Sequence, residues 1–212
     1  MPTPDPILAE AFARRIVPVV VINDDSNALP LADALIAGDL PVAEVTLRTP
    51  AALASIAAMS TRADLLVGAG TVLNVAQATA AMDAGARFLV SPGLSRDVVA
   101  AARERGVPVI PGAVTPTEIM AALDMGLGLL KFFPAGIYGG VAALKALGSV
   151  FGGVSFVPTG GVSPGNLAEF LAVPSVAAVG GSWMVPASAV DAGDFDTITQ
   201  LCATAVAQAA NN

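Results

Sequence analysis

A lysine inside an apolar run is the first residue that calls for explanation. Lys131 lies in Gly128-Leu129-Leu130-Lys131-Phe132-Phe133-Pro134, and the chain has one other lysine, Lys145. Burying an ammonium is costly unless it is paired or gives up its proton. A lysine that gives up its proton is a nucleophilic amine, suited to a Schiff base with a carbonyl. The plainer reading is a structural ion pair, or a lysine whose head reaches solvent at a strand end. Lys145 falls in a helical pattern and reads as a solvated surface charge.

Glu44 and Arg48 stand four residues apart in Glu44-Val45-Thr46-Leu47-Arg48. On one strand they point to the same side of the sheet, with Thr46 between them. Arg48 can hold a carboxylate in a two-bond fork, and Glu44 can move protons. A Glu44–Arg48 pair without chemistry is the bland alternative. The chain contains no histidine, which removes the usual general base near neutral pH and the commonest metal ligand. Acid–base work therefore falls to a carboxylate, lysine or tyrosine. Cys202 is the single cysteine, so no internal disulfide and no ordinary zinc site is expected. An all-oxygen magnesium site stays open.

Two glycine-rich segments complete the candidate chemistry: Thr159-Gly160-Gly161 ahead of Pro164, and Gly180-Gly181-Ser182. Backbone N–H groups beside a helix N-terminus can hold an anion, even in a chain of net charge −7. Gly68-Ala69-Gly70 is not a dinucleotide fingerprint, because Leu73 stands where the third glycine belongs. Together these residues describe a site for an oxo-acid with a phosphate tail. It would hold a carboxylate clamp, an amine for the carbonyl, a carboxylate acid/base and an anion pocket.

Those residues need elements to position them. Short β-branched runs predict strands at Ile16–Ile22, Val42–Arg48, Leu65–Thr71, Phe88–Pro92, Pro108–Gly112, Leu129–Phe133, Ser155–Thr159 and Val176–Gly180. Alanine-rich helical patterns alternate with them, at Asn27–Ala37, Pro50–Met59, Val75–Ala84, Arg96–Glu104, Pro116–Met125, Gly140–Leu147, Pro164–Leu171 and about Phe195–Gln208. A further helix precedes the first strand. Thr115-Pro116-Thr117-Glu118 reads as a capping box with proline at the first helical position. Asn74 and Ser95 are weaker N-caps. Gly38, Gly85, Gly106 and Gly126 suit left-handed C-caps. The alternation implies a (β/α)8 (TIM) barrel with an N-terminal helix, as one domain over residues 1–212. A doubly wound open sheet is the rival. In a barrel the site lies where strands end, and Glu44, Lys131 and both glycine pairs fall at such ends.

Composition narrows the function classes. Hydrophobic residues make up 55% and charged residues 13%, which suits strands buried on both faces. No basic cluster occurs, so nucleic acid is not an expected partner. The uncharged stretch Phe170–Val190 is broken by Pro174, Gly180, Gly181 and Pro186, unlike a membrane span. The opening residues have no basic start followed by an apolar core, so no signal peptide is expected and the chain reads as cytoplasmic.

These motifs resemble a known family. Glu44-Val45-Thr46-Leu47-Arg48-Thr49, Val67-Gly68-Ala69-Gly70-Thr71-Val72, Ser91-Pro92-Gly93, Lys131-Phe132-Phe133-Pro134-Ala135, Pro158-Thr159-Gly160-Gly161 and Gly180-Gly181-Ser182-Trp183 resemble those of the bacterial 2-keto-3-deoxy-6-phosphogluconate (KDPG) aldolases, also active on 4-hydroxy-2-oxoglutarate. The likeness covers nearly the whole chain. Asp39 departs from it, standing where relatives often carry a second glycine.

The resemblance implies roles for individual residues. Lys131 would form the Schiff base and Glu44 would move protons, directly or through water. Arg48 and Thr71 would hold the carboxylate, and Pro92 and Phe133 would wall the pyruvate end. Thr159 would face the hydroxylated carbons, and Gly160, Gly161, Gly181 and Ser182 the phosphate. No metal or organic cofactor is implied, and a homotrimer is. The galactonate epimer as substrate is the alternative within this chemistry. A phosphosugar isomerase or synthase barrel, which would not need Lys131 covalently, is the alternative outside it.

Overall fold

A computed structural model of the chain describes residues 5–211. The outermost positions of the expected domain, 1–4 and 212, lie outside the described residues. The strands are β1 (Ile16–Val20), β2 (Val42–Thr46), β3 (Leu66–Gly70), β4 (Phe88–Val90), β5 (Val109–Ile110), β6 (Leu129–Phe132), β7 (Ser155–Pro158) and β8 (Val179–Gly181). The helices are α1 (Pro6–Ala11), α2 (Ala28–Ala37), α3 (Ala52–Met59), α4 (Val75–Asp83), α5 (Arg96–Glu104), α6 (Pro116–Asp124), α7 (Gly140–Val150), α8 (Leu167–Leu171), α9 (Ala187–Ala192) and α10 (Phe195–Ala210).

Local chemistry explains several helix starts. Asn74 accepts the Gln77 N–H at 2.9 Å and Ser95 accepts that of Val98 at 3.4 Å. Thr115 and Glu118 form the expected capping box. Every residue of β1, β2 and β3 is buried, as strands covered on both faces require. One hydrophobic cluster runs from Leu8 on α1 to Ala209 on α10. No helix among the described residues is long and apolar enough to cross a membrane.

All strand pairings are parallel, the expected consequence of helical crossovers. The continuous ladders join the strands as six, in the order β5-β4-β3-β2-β1-β8, and as two, β6-β7, rather than as one ring of eight. Prolines account for the interruptions. Pro108 and Pro111 flank β5 and cannot donate to a ladder, which limits β5 to two residues. Only an isolated bridge, Gly112 with Lys131, then joins β5 to β6, through Lys131 N–H to Pro111 O at 2.9 Å and Ala113 N–H to Lys131 O at 3.0 Å. Pro158 similarly ends β7, and isolated bridges at Phe156–Val176 and Thr159–Gly180 lead to β8.

One helix-end expectation is corrected. Gly85, Gly106 and Gly126 are left-handed, with φ of 103°, 68° and 74°. Gly38 is not, at −82°; Asp39 takes φ 57° instead. Gly38 serves packing, since a Cβ there would come within 2.5 Å of the Cys202 Cβ. Arg14 secures Asp39 through its carbonyl at 3.2 Å and its carboxylate at 2.6 Å.

Candidate active site

Lys131 on β6 and Glu44 on β2 meet inside the sheet, Nζ to Oε1 at 3.0 Å. Their exposures are 6% and 3%. Glu44 thus pairs with Lys131, while the Arg48 Nε donates to Thr46 Oγ1 at 3.1 Å. This rules out the alternative in which Glu44 and Arg48 pair only with each other. A buried ion pair adds little net stability, because desolvation offsets attraction. A pair at this depth is therefore a candidate for chemistry rather than for stability.

Room for the Glu44 carboxylate comes from β3. Thr46 and Gly70 are register partners, and a Cβ on Gly70 would lie 2.3 Å from Glu44 Oε1. Gly180 does the same for Thr159, whose Oγ1 would be 2.4 Å from a Cβ there. Beneath the ion pair lies an apolar floor of Phe12, Val17, Phe88, Val90, Ile110 and Val157. Above it opens a cavity of about 150 Å³ walled by Val19, Glu44, Thr46, Arg48, Thr71, Pro92, Lys131, Phe133 and Thr159. The Lys131 ammonium sits 5.3 Å from the Phe133 ring centroid, within cation–π range.

Arg48 lies just beyond β2 rather than on it, and reaches the cavity from a turn. Thr71, one residue past β3, has φ 58°. A β-branched side chain in the left-handed region is a true outlier, costing on the order of 1–3 kcal/mol. Such strain concentrates at functional sites.

The remaining expected residues lie at the ends of β7 and β8, which the Thr159–Gly180 bridge joins. Gly160 and Gly161 are consecutive left-handed residues, with φ of 83° and 88°, and Gly160 O accepts the Gly136 N–H at 2.9 Å. Gly181 ends β8 beneath the Trp183 indole, and Ser182 is exposed. None of these four walls the cavity around Lys131. The helix expected from Pro164 begins at Leu167 instead. Asn166 closes the loop before it, accepting the Ser163 N–H at 2.8 Å and donating to Gly161 O at 2.9 Å. Lys145 is exposed, as expected.

Sequence reasoning missed Val19 and the bonding role of Thr46. Inward alternation along β1 was the available signal for Val19. The Ser163–Asn166 turn also announced the loop closure. Among the described residues no three of His, Cys, Asp and Glu group as a metal ion would require.

Residues 7–201 match the family model for KDPG and KHG aldolases. The 2-dehydro-3-deoxy-phosphogluconate aldolase of Pseudoalteromonas atlantica is 50% identical, over 92% of this chain and 91% of the relative. The KHG/KDPG aldolase of Escherichia coli K12 is 48% identical, over 90% of each. Among solved structures, the KDPG aldolase of Legionella pneumophila superposes with a TM-score of 0.88 at 45% identity, covering 92% of this chain and 95% of that one. That protein was crystallised with pyruvate captured at low pH as a covalent carbinolamine.

Proposed function

The chain belongs to the KDPG and KHG aldolase family, and from that premise we propose how its residues perform the reaction. It is a class I, Schiff-base aldolase that cleaves 2-keto-3-deoxy-6-phosphogluconate to pyruvate and glyceraldehyde 3-phosphate, with activity also on 4-hydroxy-2-oxoglutarate. The observation that carries the assignment of roles is the buried Lys131–Glu44 contact at 3.0 Å on the wall of the cavity.

Lys131 passes a proton to Glu44, and the free amine attacks C2 to give a carbinolamine. Glu44 returns the proton to the departing hydroxyl, and water leaves to give an iminium. Glu44 then takes the proton of the C4 hydroxyl. The C3–C4 bond breaks, its electron pair enters the iminium, and the aldehyde departs, leaving an enamine. Glu44 protonates C3, and water releases pyruvate and restores Lys131. Proton transfer over one hydrogen bond requires no further base, which suits a chain without histidine. Arg48 and Thr71 hold the carboxylate, and Pro92 and Phe133 wall the three-carbon end. Thr159 faces the hydroxylated carbons. Gly160, Gly161, Gly181 and Ser182 receive the phosphate.

Further readings belong to the same proposal. The isolated bridges on either side of the β6–β7 pair support a closed (β/α)8 barrel forming one domain. Exposed Leu53, Leu73, Met120, Leu123 and Val150 suit a homotrimer, which light scattering would test. We place the enzyme in the cytoplasm and its reaction in the Entner–Doudoroff pathway. No metal or organic cofactor enters these steps. A coupled assay for released pyruvate, run on both C4 epimers, tests the substrate. Faster cleavage of the gluconate form is expected, and preference for the galactonate form would overturn the choice. One hydrogen bond, about 0.5–1.5 kcal/mol net, is all that separates the epimers at C4.

A further inference from the structure

We propose that Thr46 is a positioning residue that aims the Arg48 guanidinium at the substrate carboxylate. Its side chain is 2% exposed and sits between two fixed partners. The Thr46 hydroxyl donates to Val20 O at 2.9 Å and accepts from Arg48 Nε at 3.1 Å. A hydroxyl has one proton. With that proton committed to the end of β1, only lone pairs face Arg48.

This fixes which edge of the guanidinium is available. The Nε–H is taken by Thr46, so the terminal Nη1/Nη2 edge is left to make a two-bond fork. The backbone reinforces the arrangement. Arg48 N–H donates to Thr46 O at 2.8 Å, and Thr49 Oγ1 donates to Ile22 O on the other side of Arg48. A long, flexible arginine beyond a strand end thus hangs from the last residue of that strand. Fixing it in advance lowers the ordering cost of binding. The inference rests on the assignment of Arg48 to the carboxylate.

The test compares two probes trapped by borohydride: pyruvate, and hydroxyacetone, which has the carbonyl but no carboxylate. Thr46→Val keeps the shape and removes both hydrogen bonds. It should weaken pyruvate trapping about tenfold and leave hydroxyacetone trapping unchanged, and Thr46→Ser should restore pyruvate trapping. Equal losses on both probes would mean that Thr46 only fastens β2 to β1, and would overturn the proposal. So would no loss on either. If Thr46→Val does not fold by circular dichroism, Thr46→Ala is read the same way. Arg48→Met separates the two claims. If it impairs pyruvate selectively, Thr46→Val added to it should cost nothing more, and an additive loss would contradict the proposal. If Arg48→Met spares pyruvate, the carboxylate assignment itself fails.

Discussion

At the ends of β2 and β3, Arg48 and Thr71 send side chains into the cavity around Lys131. At the ends of β7 and β8, Gly160, Gly161 and Gly181 offer backbone alone, with the exposed Ser182 beside them. The first region is held by the Thr46 and Thr49 hydroxyls, which donate to the carbonyls of Val20 at the end of β1 and of Ile22 just beyond it, and by a strained Thr71. The second is an open loop closed by Asn166. On the roles proposed above, the difference follows from the task. Bond cleavage at C3–C4 requires the carboxylate end fixed within a fraction of an ångström. A phosphate several bonds away needs only convergent N–H donors.

The largest effect is expected at the point between the two regions. Lys131→Met should reduce turnover to background in the pyruvate-release assay while circular dichroism shows a folded chain. It leaves Glu44 buried without its partner, which is destabilising. The double variant Lys131→Met/Glu44→Gln should therefore melt above Lys131→Met alone. Glu44→Gln by itself should lower kcat about 10²–10⁴-fold with little change in KM. Unaltered kcat would move the proton work elsewhere.

Thr71→Gly tests the comparison by making the carboxylate end resemble the phosphate end. Glycine removes the strain at φ 58°, so thermal stability should rise or hold. KM for every 2-oxo acid should rise about tenfold or less, by one lost hydrogen bond. Ser182→Ala should have the smallest effect, a rise of a few-fold in KM for the phosphorylated substrate and none for 4-hydroxy-2-oxoglutarate. Equal effects on both substrates would detach Ser182 from the phosphate.

Much of this plan was legible from residues alone. The alternating runs located eight strands because a strand buried on both faces must be apolar throughout. Lys131 and Glu44 stood out for the same reason, as charges inside such runs. Glu44 was expected in the same site, but its direct pairing with Lys131 was not legible, since the two lie 87 residues apart and only the strand order brings them together. Arg48 was expected on the strand with Glu44, but the strand ends at Thr46 and its side chain turns to that threonine. The left-handed Thr71 was hidden because β-branched residues oppose that conformation. It is flanked by two strand-to-strand bonds, Leu47 N–H to Gly70 O at 2.9 Å and Val72 N–H to Val90 O at 3.2 Å, of the kind that hold a strained residue in place. Gly38 misled because its small size serves contact with Cys202 rather than a turn. Desolvation in that contact pushes the Cys202 thiol up to about 12, so the folded chain should resist alkylation near neutral pH.

The central claim is that Lys131 is the nucleophile, and the two-lysine composition makes it directly testable. Pyruvate and borohydride are added to the native enzyme, and the modified peptide is identified by mass spectrometry. A reduced pyruvyl adduct is expected on Lys131 and none on Lys145. An unmodified Lys131 in demonstrably folded, active protein would contradict it.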